Sequence, residues 1–118
     1  MICLDVPRGT RELSEEFWSG ALGRTFVRGQ THPEYSHFGM VNAHVLLLQG
    51  MGEGDARVHL DIHTDDLSSE VARLVALGAR EQARHDNWVV MADPSGLTFC
   101  VVPVASDDET LEGATRWP

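Results

Sequence analysis

Residues 57–64 alternate without a break. Val58, Leu60 and Ile62 fall on one side, and His59, Asp61 and His63 on the other. A period of two marks a strand with one covered face. A second strict alternation opens the chain, where Ile2, Leu4 and Val6 are interleaved with Cys3 and Asp5. After Pro7 and Gly9 the period changes. Leu13, Phe17, Ala21 and Leu22 recur at helical spacing, Thr10 stands where a cap belongs, and Gly23 can end the helix in the left-handed region. Short strands are predicted over 25–27 and 35–40, and a more apolar one over 43–49. After 57–64, Asp65 or Asp66 caps a helix with an apolar stripe of Leu67, Val71, Leu74 and Val75 that stops at Gly78. A polar strand over 81–84 at a sheet edge comes next. Strands over 88–92 and 97–104 are then joined by Asp93-Pro94-Ser95-Gly96, a sequence suited to a tight turn. The tail from 105 to 118 is weakly patterned. A short helix over 109–113 and a docked Trp117 are expected there.

The pattern repeats. Leu4-Asp5-Val6 matches Leu60-Asp61-Ile62 at an offset of 56, and Ala21-Leu22-Gly23 matches Ala76-Leu77-Gly78 at an offset of 55. Each half reads βαβββ, and half a sheet cannot bury its second face alone. The glycine-rich stretch at 50–56 reads as a linker, which gives a first module over 1–50, a second over 57–104, and a tail. The predicted fold is α+β: two βαβββ modules forming a curled, mostly antiparallel sheet of eight strands around a cleft, with the helices outside.

With 9 basic and 18 acidic residues, the net charge of −9 disfavours nucleic acid and anionic membranes as partners. No apolar run approaches the ~20 residues of a membrane span, and the first residues lack the features of a signal peptide. A cytoplasmic address is the expectation. Cys3 and Cys100 show no metal-ligand spacing and are expected as free thiols.

Several segments resemble the vicinal oxygen chelate superfamily, which includes glyoxalase I, extradiol dioxygenases and bleomycin-resistance proteins. They are Leu4-Asp5-Val6, Phe17-Trp18, Val58-His59-Leu60-Asp61-Ile62, Leu74-Val75-Ala76-Leu77-Gly78-Ala79 and the run from Trp88 to Val102. The likeness covers about residues 1–104 and is closest to the glyoxalase-like branch. It implies a ligand cleft between modules and a habit of dimerisation. It also implies metal ligands on the first and last strand of each module. In this chain those positions fall on Met1, within 45–49, on His59 and on Cys100. Only His59 is an inherited ligand, and no carboxylate occupies either last-strand position.

No metal or other cofactor is therefore expected. Zn²⁺ on His59 and Cys100, helped by His63 or Asp61, is the softer-metal alternative. Alternation turns Cys3, Asp5, His59, Asp61 and His63 away from the helices. His59 and Asp61 are the candidate acid/base pair. Cys3, Asp5, His63, Trp88 and Cys100 are candidate ligand-binding residues, and each also has a plain structural reading. The expected function is binding of a small molecule, with lyase or isomerase chemistry if it is an enzyme, in a homodimer. A sequestering protein for a cationic drug or metabolite, and an inactive interaction module, are the alternatives.

Overall fold

The computed structural model describes residues 1–41, 44–104 and 115–118. The expected helix over 109–113 lies outside them. The elements are β1 (Ile2–Pro7), a 3-10 turn (Arg8–Thr10), α1 (Arg11–Leu22), β2 (Val27–Arg28), β3 (Tyr35–Val41) and β4 (His44–Met51). They continue as β5 (Arg57–Thr64), α2 (Leu67–Ala76), β6 (Arg80–Arg84), β7 (Val89–Ala92) and β8 (Thr98–Pro103). The α+β order βαβββ-βαβββ follows the repeat in the sequence.

The chain divides into two compact units, residues 1–60 and 61–118, and the division falls inside β5. In the first unit the strands hydrogen-bond in the order β2-β3-β4-β1-β5; in the second the order is β5-β8-β7-β6. β1 runs parallel to β4 and antiparallel to β5. The glycine-rich stretch is partly absorbed into β4, because Gly50 and Met51 extend its pairing with β1.

The second unit is built on an apolar core. Val71 from α2 packs with Val89, Met91, Phe99 and Val101, and Ile62, Leu67, Leu74 and Ala79 complete the cluster. Each of the five buried side chains, Val71, Val89, Met91, Phe99 and Val101, is worth about 1.5–3 kcal/mol relative to exposure. Of the two possible caps, Asp66 is the one used. Its Oδ1 accepts the Ser69 backbone N–H at 2.9 Å, and its Oδ2 accepts the Ser69 hydroxyl at 2.8 Å. Beyond the helix, Gly78 has φ +108°, a conformation that residues with a Cβ seldom adopt. The closing turn is held by Asp93, whose Oδ1 accepts backbone N–H groups of Ser95 and Leu97 at 2.8 and 2.7 Å. Phe99 and Val101 therefore point to α2, and Cys100 points to the opposite face.

The first unit is held differently, and here the apolar periodicity misleads. The half-buried positions of α1 are Arg11, Ser14, Glu15, Trp18, Ser19 and Leu22. Leu13 and Phe17, the apolar markers of the helix, are 68% and 64% exposed. The cause is a polar anchor. Ser36 on β3 is completely buried, and its hydroxyl donates to Glu15 Oε1 at 2.6 Å. Arg11 donates to both, at 2.7 Å to Ser36 Oγ and 3.0 Å to Glu15 Oε1. Arg28 on β2 donates to Glu15 Oε2 at 2.8 Å. These bonds fix the rotation of α1 about its axis, which turns Trp18 rather than Phe17 inward, and Phe17 meets the Trp18 ring edge-on at 5.3 Å. Thr10 also departs from expectation: its hydroxyl donates back to the Pro7 carbonyl at 3.2 Å and caps nothing. Val58 and Leu60 share the α1 side of the sheet by register with Leu4 and Ile2, yet both remain exposed.

Burial pushes the Glu15 carboxyl up. Hydrogen bonds from Arg28, Ser36 and Arg11, together with the Arg28 charge, outweigh that and hold it below its ordinary value of 4.5. A depressed carboxyl stabilises the fold above its unfolded value, and that contribution is lost as pH falls through the folded value. Glu15→Gln is expected to melt lower than wild type at pH 7, with the gap closing as pH drops below 4.5. Melting curves of both proteins between pH 7 and pH 3 check this; a gap independent of pH contradicts it.

Candidate functional site

The β1–β5 register sets Cys3 opposite His59 and Asp5 opposite Arg57. The β1–β4 register sets Cys3 beside Leu47 and Asp5 beside Gln49. Ser36, Leu48 and Leu4 share the face that carries α1, so Cys3, Asp5, Arg57 and His59 share the other face. This is the face on which the sequence places its candidate chemistry.

Asp5 is the centre of the group. It is 2% exposed, and its Oδ2 accepts from His59 Nδ1 at 2.6 Å and from Arg57 Nε at 3.3 Å. With the ring proton on Nδ1 and the carboxyl ionised, the short bond to His59 is charge-assisted. A neutral ring in that tautomer carries its lone pair on Nε2. The second oxygen, Asp5 Oδ1, is buried and accepts no hydrogen bond from any described residue. An acceptor in that position costs roughly 1–3 kcal/mol until a donor reaches it. Cys3 is 1% exposed, and its Sγ lies within 4.8 Å of a ring nitrogen of His59.

The other candidates fall as follows. Asp61 and His63 are half-buried on β5, on the strand face opposite to Ile62, which enters the second unit's core. Cys100 is half-buried on β8, paired with Val90 and on the sheet face remote from α2. Trp88 is exposed at the end of the β6–β7 hairpin, where its ring stacks on His85 at 4.3 Å. His32, His37 and His85 are exposed.

Two features were not legible as function in the sequence. Arg57 gives Asp5 a second hydrogen-bond donor, and only the antiparallel register reveals it. In the second unit a hollow of about 610 Å³ opens beside the start of α2, lined by Thr64, Asp66, Ser69, Arg73 and Trp117. Trp117 does dock: its ring lies over the Arg73 guanidinium at 4.2 Å, and Glu70 holds Arg73 from below through bonds of 2.6 and 2.8 Å.

The donors on the first unit's face are a poor match for the metal that the superfamily resemblance implies. A hard divalent cation needs several oxygen or imidazole ligands with carboxylate charge beside them. Here the Asp5 charge is shared by Arg57 and His59, and the ligand atoms that gather within 4.8 Å of one another come from Cys3, His59 and Asp61, a thiol, an imidazole and a single carboxylate.

Comparison with known proteins places this geometry in a lineage. The family model of the glyoxalase-like domain matches residues 1–102. No curated protein matches the chain. Solved structures share its fold at low identity. A Streptomyces coelicolor methylmalonyl-CoA epimerase is 14% identical with a TM-score of 0.58, covering 88% of this chain and 96% of its own. A Legionella pneumophila structure described as NAD-dependent benzaldehyde dehydrogenase is 14% identical with a TM-score of 0.58, covering 89% of this chain and 100% of its own. A glyoxalase/bleomycin resistance protein/dioxygenase superfamily member from Vibrio splendidus is 13% identical with a TM-score of 0.54, covering 87% of this chain and 97% of its own. The family match spans both βαβββ halves, and the chain belongs to the glyoxalase-like domain family of the vicinal oxygen chelate superfamily.

Proposed function

We propose that this protein binds a small carbonyl compound at the sheet face that carries Asp5 and His59, and moves a proton on it without a divalent metal. The observation that carries this reading is the 2.6 Å bond from His59 Nδ1 to the buried Asp5. A buried carboxylate on one ring nitrogen fixes the tautomer and the orientation of the imidazole. It also stabilises the imidazolium formed when the other nitrogen takes a proton. Asp61, two residues further along β5, is the acid that returns it. Abstraction next to a carbonyl, followed by reprotonation, is the lyase or isomerase step that such a pair can perform. Asp5 Oδ1 offers a place for a hydroxyl or amine of the substrate.

Small 2-oxoaldehydes and α-hydroxyketones in D₂O, followed by proton NMR, test the reading. Deuterium is expected to enter beside the carbonyl faster than in buffer, and His59→Gln is expected to lower that rate about 10²–10⁴-fold. If no compound exchanges above the buffer rate, or if the variant exchanges as fast as wild type, proton transfer by His59 is ruled out. The net charge of −9 favours a second reading, sequestration of a cationic ligand without turnover. Under that reading calorimetry with a cationic glycopeptide shows binding while the exchange assay stays silent.

The tautomer has its own signature. The His59 Nδ1 proton is expected as a low-field resonance protected from solvent exchange in wild type. Asp5→Asn is expected to remove it and to leave the fold's amide spectrum dispersed. Persistence of the resonance in the variant would assign the proton to another partner.

A further inference from the structure

The hollow beside the start of α2 takes no part in the proposed proton transfer. Its volume of about 610 Å³ is what remains with Trp117 in place, and it falls in the ordinary range of small-molecule pockets, roughly 300–1,000 Å³. Charged residues of α2 build one wall. Glu70 and Arg73 stand three positions apart and so share a side of the helix. Glu70 is 9% exposed, and its oxygens accept from Arg73 Nη2 and Nε at 2.6 and 2.8 Å. A guanidinium gripped along one edge loses rotational freedom and keeps its flat faces for another group. Here that group is an indole, since the Trp117 ring lies over the Arg73 guanidinium at 4.2 Å. Trp117 is nevertheless 58% exposed, so its contacts cover less than half of it. Asp65 and Arg116 also line the hollow, and neither has a hydrogen-bond or ion-pair partner among the described residues.

We propose that the face of Arg73 is a binding site for planar aromatic compounds, and that Trp117 is its built-in occupant, displaced when such a compound enters the hollow. The ring of the ligand takes the place of the indole on Arg73. Its polar substituents meet Asp65, which accepts, and Arg116, which donates. An aromatic ring is the class that the site already holds, and an aliphatic group has no π face to set against a guanidinium. Two observations favour exchange over a fixed contact. Space remains beside the ring for a ligand larger than an indole, and the ring itself is mostly open to water. A cation–π contact at an exposed site favours the docked form by only about two- to fivefold. Removing this internal competitor therefore strengthens an external ligand by the same factor. The site lies within the second unit and stands independently of the Asp5–His59 reading.

The test titrates N-acetyltryptophanamide into the ¹⁵N-labelled protein, with N-acetylleucinamide as its aliphatic counterpart. NMR follows the indole N–H of Trp117 and the Nε–H of Arg73. In wild type the tryptophan probe is expected to shift both resonances, and the leucine probe neither. The Trp117 resonance is expected to move toward its position in Arg73→Lys, a variant that keeps a cation beside Glu70 and lacks the planar face. That variant is expected to lose binding of the probe. Trp117→Ala leaves the apolar core of α2 untouched and is expected to bind the tryptophan probe about two- to fivefold more tightly than wild type. Equal affinity in Trp117→Ala and wild type overturns the proposal, because Trp117 is then no competitor. An Arg73 Nε–H that does not respond, equal shifts from the two probes, or binding that survives in Arg73→Lys overturns it as well. Each variant is first checked for a dispersed amide spectrum, and Trp117→Ala decides alone if Arg73→Lys does not fold.

Discussion

A carboxylate sealed inside a sheet has to be answered by its neighbours, and the first unit is arranged around that demand. Asp5 sits near the middle of β1 with almost no access to water. Arg57 and His59 on β5 both reach its Oδ2. A slip of one residue in the β1–β5 register would turn Arg57 and His59 to the other face and leave the charge unpaired, at a cost of several kcal/mol. The Asp5 contacts therefore choose the register, and the register sets Cys3 opposite His59. Structure and candidate chemistry in this unit have one cause.

The two units reach order by different means. The second closes over an apolar cluster led by Val89, Met91, Phe99 and Val101. The first turns a polar helix face to its sheet and anchors it at Ser36, Glu15 and Arg11. Non-directional packing leaves a helix some rotational freedom, whereas a buried hydroxyl between a carboxylate and a guanidinium allows little. The exposed Leu13 and Phe17 follow from that choice.

This difference explains what the sequence could disclose. Strand alternation, the stop at Gly78, the Asp93 turn and the repeat are local signals, and they carried the α+β fold through both halves. The face of α1 was not legible, because a stripe of leucine and phenylalanine speaks for burial until Ser36 is known to bond Glu15 across 21 positions of sequence. The candidate site was legible as a face, since alternation alone puts Cys3 and Asp5 together on β1 and His59 and Asp61 together on β5. Its pairings were not, because the contacts of Asp5 with Arg57 and His59 span more than 50 residues and depend on an antiparallel register that no local pattern encodes. Trp88, a candidate for lining a ligand, lies exposed and stacked on His85, a contact that no local pattern encodes.

The offset of 56 that relates the two halves superposes Cys3 on His59, and the β1–β5 register sets the same two residues face to face. Two positions that the repeat makes equivalent therefore face each other across the β1–β5 pair. If the halves were identical, one residue type would confront its own copy there, thiol against thiol or imidazole against imidazole. Either arrangement would give both partners the same intrinsic affinity for a proton. Carried in one chain, the two positions are free to differ, and this chain sets a thiol opposite an imidazole.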